Sequence, residues 1–331
     1  MDKTVAAGAA SQEKIGATLV FLSALFWSFG GAIARFLEIE DNWTVVFWRA
    51  LFAGLFLLGF LLVRDGPRET LRLYRNMGVP GLLVGFGFAT ASTCFIIAIS
   101  YTTVANVVLI QAGVPLFAAL MAWILYREAI AFTTWLAIVA VIIGVAIMVM
   151  GGPAIAALDD MLGFGLVDST PAATANAAND MRHAWFGNLL ALTIAIVFAM
   201  VTVVTRRFPN VRQTPGASVG CFAASLLAFT QAGSIDVTGG ELAILMGFGA
   251  LNLGLGMAFF VTGARMIPAA FAALLGTAET MLSPVWVAIL HGEIPGAETV
   301  IGGTILLAAL LGYLYSALRR QQTVAPTAMP T

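Results

Sequence analysis

The sequence predicts an all-α membrane protein with about ten transmembrane helices in two inverted five-helix repeats, on three observations. The first is composition, since 60% of the 331 residues are hydrophobic and 10% are charged, whereas a soluble domain has about 25% charged residues. The mean hydropathy of +0.96 agrees with this excess of apolar residues. The second is a series of apolar segments of bilayer-spanning length. The third is a similarity between the two halves of the chain.

Ten apolar segments approach the roughly 20 residues that a helix needs to cross the hydrocarbon core. They cover residues 15–36, 43–63, 79–101, 104–126, 133–150, 186–206, 216–233, 242–264, 269–290 and 299–318. Their long unbroken apolar runs lack the two-residue alternation of a transmembrane β-strand. The segments divide the chain into a tail (1–14), a first repeat (15–150), a linker (151–185), a second repeat (186–318) and a second tail (319–331). A short surface helix is expected in the linker near residues 154–162.

The positions of lysine and arginine predict the orientation, because basic residues are concentrated in cytoplasmic loops. With the N-terminus in the cytoplasm, 13 of the 16 basic residues fall on the inner side. The outer segments are acidic, with Glu38, Glu40, Asp41, Asp159, Asp160, Asp168, Asp236 and Glu241. We therefore expect a multi-pass protein of the bacterial inner membrane with both termini in the cytoplasm.

The two halves match at an offset of 165 residues through the last three segments of each half. The tight turn between the third and fourth segments recurs between the eighth and ninth, and Glu128 falls on Glu293. Near the repeat starts the offset is 171, which places Gly16 on Gly187. Five helices are an odd number, so the halves would lie upside down relative to each other, as in many transporters. Chance similarity among apolar segments is the alternative.

Several short motifs along residues 15–318 resemble the EamA-type branch of the drug/metabolite transporter superfamily. The motif residues in the first half are Phe47, Trp48, Arg49, Ala50, Tyr101, Thr102, Thr103, Val104, Ala105, Pro115, Leu116, Phe117, Ala118, Ala119, Arg127, Glu128 and Gly144. Those in the second half are Ile267, Pro268, Ala269, Ala270, Glu279, Gly292 and Glu293. The resemblance implies export or exchange of amino acids and other small metabolites. In two departures from the family pattern, Thr280 rather than proline follows Glu279, and the linker is long.

Ionisable side chains inside spans are costly and are therefore candidates for function. Glu279 lies about ten residues into the ninth segment, which is roughly 15 Å from its start and near the bilayer midplane. It is a candidate to bind an amino group of a substrate or to take up a proton during exchange. The alternative is a protonated glutamate that is hydrogen-bonded to a neighbouring helix.

Arg49 lies about six residues into the second segment, roughly 9 Å from the outer side. As a substrate ligand it would favour a carboxylate, because a guanidinium binds carboxylates in bidentate fashion. The alternative is an outward-reaching side chain that pairs with Glu38, Glu40 or Asp41.

Pro115 and Pro284 lie inside the fourth and ninth segments, which are repeat partners, and each is expected to break its helix. Interrupted helices at matching positions indicate a transport site, although a kink without a ligand role is the alternative. Gln111, whose carbonyl Pro115 would release, aligns with Gly276, so its side chain is expected to point inward.

One face of the ninth segment carries small and polar residues at helical spacing. Its members are Ala272, Gly276, Glu279, Ser283 and Trp286. Small residues on such a face permit either a cavity or close helix packing. Trp27 in the first segment is a candidate lining residue, and Asn252 in the eighth is a buried polar candidate for which helix packing is the alternative role.

These features favour a secondary transporter of small polar solutes that works by alternating access. No Gly-x-x-x-x-Gly-Lys motif is present, so we expect no direct use of ATP. An enzyme is not expected, since the two histidines, His183 and His291, have no metal-ligand spacing. We expect no cofactor, no metal and no nucleic-acid partner, and the proton is a candidate coupling ion for a monomer or homodimer. A carrier of lipid-linked or larger metabolites, and a membrane sensor or assembly protein without transport, are the alternatives.

Overall fold

The computed structural model describes residues 3–127, 132, 134–147, 171–208, 210–264, 266, 267 and 269–324, and these residues contain helices but no strand. The α-helices are α1 (Lys3–Ser28), α2 (Gly30–Arg35), α3 (Asn42–Asn76), α4 (Gly78–Tyr101), α5 (Val104–Ala112), α6 (Val114–Tyr126), α7 (Thr134–Ile147), α8 (Pro171–Arg207), α9 (Gln213–Gln231), α10 (Gly239–Met246), α11 (Gly256–Gly263), α12 (Ala269–His291) and α13 (Ala297–Val324). A π-helix (Gly247–Leu255) joins α10 to α11.

Each of the ten predicted segments coincides with one of these helices or with a consecutive set of them. Within the described residues, five segments are long and apolar enough to cross a membrane: Lys14–Arg35, Asn42–Asn76, Gly78–Tyr101, Ala184–Thr205 and Gly239–Gly263. The pair α5 and α6 makes a sixth if it is counted as one span. The chain is therefore a multi-pass helical membrane protein, and the count of ten spans stays a prediction.

Helix α8 begins inside the predicted linker, at Pro171 rather than near residue 186. Its membrane-capable part, Ala184–Thr205, nevertheless agrees with the predicted span 186–206. Residues 151–170, with the surface helix expected there, lie outside the described residues, as does Glu128.

Three spans are irregular in their middle. The first is interrupted at Phe29, between α1 and α2. The fourth bends by 42° at Gly113, between α5 and α6. Pro115 lies in the first turn of α6, where a missing N–H costs little, so the break predicted there is present. The third irregular span is the one that contains the π-helix.

Helix α12 runs without interruption through Pro284, so the break expected at this proline is absent from the structure. Proline removes one backbone donor, and neighbouring helices in a membrane bundle can hold such a helix together. The matched pair of breaks is therefore reduced to one break, at Gly113.

Equivalent contacts in the two halves follow the offsets found in the sequence. A Cβ placed on Gly16 in α1 would lie 3.0 Å from the carbonyl oxygen of Gly263 in α11, and one on Gly187 in α8 would lie 2.9 Å from that of Ala98 in α4. Gly187 follows Gly16 by 171 residues, and Gly263 follows Ala98 by 165. The contacts agree with an inverted repeat, which stays a prediction.

Helices α4 and α9 cross with their backbones in contact. A Cβ on Gly220 would lie 2.1 Å from the carbonyl oxygen of Gly85, and one on Gly216 would lie 2.4 Å from that of Gly81. Small residues permit this approach, which is a common way to pack helices in lipid. The crossing holds α4 close to α9, and α3 also packs against α9.

Candidate functional site

Arg49 is buried in the middle of the bundle, on α3, with 5% of its surface exposed. Its Nη1 donates a hydrogen bond to Oγ of Ser92 on α4, at 3.0 Å. The guanidinium carbon lies 4.4 Å from the ring centroid of Phe248 and 5.4 Å from that of Phe95. Its Nε has no hydrogen-bond partner among the described residues. The cation is therefore held between two aromatic rings, with one donor left unpaired.

The outward-reaching arrangement of Arg49 is not the one in the structure. Among the described ion pairs, none joins Arg49 to Glu38, Glu40 or Asp41. Asp41 instead caps α3, where its carboxylate accepts from the backbone N–H of Trp43 at 3.0 Å. A buried cation without an acidic partner is costly, so an anionic group that reached Arg49 would be stabilised there.

Asn252 lies in the π-helix next to the same aromatic side chains. Its Nδ2 donates to the carbonyl oxygen of Phe26 in α1. A Cβ placed on Gly30 would lie 3.4 Å from Oδ1 of Asn252 and 3.7 Å from Cζ of Phe95. Gly30 thus lies beside both Asn252 and Phe95, and the guanidinium of Arg49 contacts Phe95. π-Helical turns are often found at functional sites.

A cavity of about 340 Å³ lies between α1, α2, α10 and the π-helix. Its walls are mostly apolar and include Phe26, Phe29, Phe248 and Asn252. Phe248 separates this cavity from the guanidinium of Arg49.

The far wall at Phe29 is fixed to α12 by Trp286. The indole Nε1 of Trp286 donates to Oγ of Ser28 at 3.0 Å. The Trp286 ring stacks on Phe29 with a centroid distance of 4.7 Å. These contacts turn the predicted polar face of α12 towards the point at which α1 ends.

The same face of α12 carries unpaired polar groups beside open space. Glu279 is half-buried and makes no hydrogen bond or ion pair within the described part of the chain. Oγ of Ser283, which is 1% exposed, likewise has no partner there. Among the described residues, no atom of another element lies within 4 Å of the point where a Cβ on Gly276 would stand.

Trp27 and Gln111 complete the predicted set. The ring of Trp27 lies against Gly256 and is 5.5 Å from the ring of Phe260, and its Nε1 finds no acceptor among the described residues. Nε2 of Gln111 donates to the carbonyl oxygen of Val107, one turn earlier in α5, at 3.2 Å. The side-chain amide of Gln111 thus donates to a carbonyl of its own helix, and this donor does not contact the other candidates.

Phe248 contacts the Arg49 guanidinium and lines the same cavity as Asn252, and Gly276, Glu279 and Ser283 lie on one helix. The hydrogen bonds of the described residues do not connect these two groups. Trp27, Arg49 and Ser283 each carry one of the six buried polar atoms that lack a partner in the described part of the chain. The other three belong to Asp65, Thr70 and Gln213. An unpaired buried polar group costs about 1–3 kcal/mol. Three of the predicted site residues carry such a group, which favours a binding site whose ligand would supply the missing hydrogen bonds.

Sequence analysis did not identify Ser92, Phe95 or Phe248 as members of this site. A serine or phenylalanine in an apolar helix has no distinctive spacing. The only feature of the sequence that could have indicated Phe248 is the group of glycines around Asn252. These glycines permit the π-helix, which contains Phe248, to pack closely on α3.

At one end of the bundle, Glu293 in the loop between α12 and α13 joins α2 to α5. Its carboxylate pairs with Arg35 at 3.0 Å and accepts from the backbone N–H of Val104, the first residue of α5, at 2.9 Å. Glu293 therefore both forms an ion pair and caps the N-terminus of α5. We refer to this end as the Glu293 end.

A buried hydrogen-bond chain lies beneath the Glu293 end. Oγ1 of Thr299 donates to Oδ1 of Asn106, Nδ2 of Asn106 donates to Oγ1 of Thr102, and that hydroxyl donates to Oδ1 of Asn188. The three distances are 2.6, 3.1 and 2.9 Å. Four helices, α4, α5, α8 and α13, are thereby joined.

Comparison with known proteins shows similarity to a family of transporters and to the fold of solved structures. Residues 14–150 match the EamA-like transporter family. No curated protein matches the chain. One solved crystal structure aligns with 90% of this chain and 96% of its own chain, with a TM-score of 0.59 and 16% sequence identity. At this low identity, the similarity shows a shared fold and nothing about function. The resemblance found in the sequence motifs is confirmed over the matched segment. The matched segment covers 137 of the 331 residues, and over that segment the chain is similar to the EamA-like transporter family.

Proposed function

We propose that the protein is a secondary transporter that exports or exchanges a small polar metabolite, such as an amino acid, by alternating access. The observation that carries the proposal is the set of unpaired buried groups on Trp27, Arg49 and Ser283, together with the unpaired carboxylate of Glu279. These residues lie on three different spans. A polar solute that formed hydrogen bonds or ion pairs with these side chains would offset the free-energy cost of burying them without partners.

The proposal includes ten spans in two inverted repeats, with the Glu293 end outside the cell. The distribution of basic residues supports the orientation. The equivalent contacts of Gly16 and Gly187 support the repeat. Inverted repeats place the substrate site at their interface near the midplane, and Glu279 lies at that depth.

The charges of the site indicate how a solute would be held. Arg49 supplies a cation fixed by Phe95 and Phe248, which suits a carboxylate. Glu279 supplies a carboxylate for an ammonium group, or a site for a coupling proton. Neither role requires a cofactor.

The test is solute counterflow in proteoliposomes preloaded with a panel of amino acids and related metabolites. Wild type is compared with Glu279→Gln, and Glu38→Gln is the matched control because Glu38 is an exposed glutamate at the Glu293 end. We expect accumulation by wild type and Glu38→Gln, and its loss in Glu279→Gln. Unchanged turnover in Glu279→Gln would remove its coupling role, and no counterflow by wild type for any panel member would contradict the substrate class.

A carrier of lipid-linked metabolites is the second candidate. The apolar cavity beside α1 favours it, because its lining includes Ile244 and Leu251, which are exposed on the outside of the bundle. An apolar tail could lie in such a groove while its polar head reached Asn252. Counterflow that is absent for free solutes and present for a lipid-linked analogue would select this function.

A further inference from the structure

Helix α3 is too long to lie entirely within a bilayer. Its 35 residues would extend about 52 Å, against a hydrocarbon thickness of about 30 Å. The chain turns at Gly66, whose φ of 78° is unfavourable for residues with a side chain, and Pro67 follows. Residues 67–76 form a separate helical stretch beyond the span, which we term the arginine helix.

The arginine helix has one exposed basic face. Arg68, Leu71, Arg72 and Arg75 are exposed and follow each other at the three- and four-residue spacing of a single face. Leu71, in the middle of this face, is 60% exposed. The basic face therefore combines three cations with an apolar side chain.

The opposite face is fixed to the bundle. Thr70 is buried, and the Tyr74 hydroxyl donates to Oγ of Ser218 on α9 at 2.9 Å. Nη1 of Arg212 donates to Oδ1 of Asp65 at 2.8 Å, just before the turn at Gly66. These contacts keep the basic face directed outward at the level where α3 leaves the membrane.

We propose that the arginine helix binds the headgroups of anionic phospholipids. Arg72 lies 3.4 Å from the carboxylate of Glu69, and no other ion pair of Arg68, Arg72 or Arg75 occurs among the described residues. This leaves an excess of positive charge at the membrane surface, where it complements phosphate and anionic headgroups. Leu71 reaches the acyl boundary, as apolar residues of interfacial helices do.

The alternative is that these arginines only set the orientation of the chain during insertion. An effect on insertion depends only on the charge of the arginines. It predicts no preference of the folded protein for one type of lipid. A folded, rigid basic face predicts instead a preference for anionic lipid that persists in the purified protein. The test therefore uses the full chain in detergent, and it does not depend on transport.

Binding of phosphatidylglycerol and of phosphatidylcholine is measured by native mass spectrometry for wild type and for the triple variant Arg68→Gln, Arg72→Gln, Arg75→Gln. We expect wild type to prefer phosphatidylglycerol. Each arginine should contribute about fivefold, so the triple variant should bind phosphatidylglycerol about 100-fold more weakly. Its weak binding of phosphatidylcholine should not change.

Arg207→Gln is the matched control, because Arg207 is an exposed arginine at the same end of the bundle, on α8. The Arg207→Gln variant should bind phosphatidylglycerol as tightly as wild type. If its affinity fell as much as that of the triple variant, the proposal would be overturned, because binding would then depend on the total positive charge of this end and not on the arginine helix. Equal affinity of wild type for the two lipids would overturn it as well. So would displacement of the lipid by an equal concentration of inorganic phosphate.

Glu69→Gln provides a test that does not depend on the triple variant being folded. It removes the carboxylate beside Arg72, so phosphatidylglycerol should bind about two- to fivefold more tightly. Unchanged or weaker binding by Glu69→Gln would contradict the assigned face.

Discussion

Closure of the Glu293 end can be weakened in steps. Glu293→Ala removes both the ion pair with Arg35 and the acceptor for the backbone N–H of Val104. Arg35→Gln removes the ion pair and leaves the acceptor in place. Glu293→Gln removes the charge, and its amide oxygen can still accept from Val104. The three variants therefore separate the ion pair from the helix cap.

The expected magnitudes follow from exposure. The side chains of Arg35 and Glu293 are 33% and 21% exposed, so solvent screening limits their ion pair to about 0.5 kcal/mol. Loss of a helix-capping acceptor costs about 1 kcal/mol. If the proposed alternating access is correct, Arg35→Gln should increase the population open at this end about twofold, and Glu293→Ala about tenfold.

Cysteine accessibility measures this population. Gly276→Cys is the reporter, because the space around Gly276 accommodates a side chain, and Cys94 and Cys221 are replaced by alanine. Labelling by a membrane-impermeant maleimide from outside should be about twofold faster with Arg35→Gln and Glu293→Gln, and about tenfold faster with Glu293→Ala. Gly233→Cys, in an exposed loop, controls for reagent access.

A Glu293→Ala protein whose reporter is labelled at the parent rate would refute the reasoning. That result would show that the ion pair and the cap do not hold this end closed. Faster labelling of Gly233→Cys in the same background would point instead to a general loosening of the fold.

Two further predictions concern stability and the α1–α12 contact. Gly220→Ala places a Cβ 2.1 Å from the carbonyl oxygen of Gly85 and should lower the free energy of unfolding by about 3 kcal/mol, as measured by thermal melting in detergent. Gly59→Ala adds a Cβ that would have no atom of the described residues within 4 Å outside its own helix, so it should instead be neutral or stabilising by up to about 1 kcal/mol. Trp286→Phe keeps an aromatic ring for stacking but loses the hydrogen bond to Ser28, which should cost about 1 kcal/mol of stability. Counterflow by Trp286→Phe should also slow, and an unchanged melting temperature would contradict the role of this bond.

The positions of the helices could be predicted from hydropathy, since segments that face lipid must be apolar over the bilayer thickness. The break beside Pro115 was also predictable, because it depends on local chemistry. The partner of Arg49 was not predictable. Ser92 lies 43 residues away in the chain, and its selection depends on how α3 and α4 pack.

The breaks within helices could not be predicted reliably from the sequence. The break at Phe29 has no proline, and it accompanies the stacking of Phe29 on Trp286 from a distant helix. Pro284, the local signal for a break, lies in a continuous helix. In lipid the two faces of an apolar helix differ little in hydrophobicity, so the inward face must be identified from tertiary contacts.

The crossing of α4 and α9 restricts how this protein can evolve. Any single-nucleotide change that converts a glycine codon to another amino-acid codon adds a Cβ. At Gly85 and Gly220 the neighbouring backbone occupies the space that this atom would need. Substitution by neutral drift is therefore prevented at these two sites and permitted at Gly59 and Gly312, where the described part of the chain has no atom within 4 Å of an added Cβ. Among descendants of this chain, glycine should persist at the crossing long after it has been replaced at the open positions.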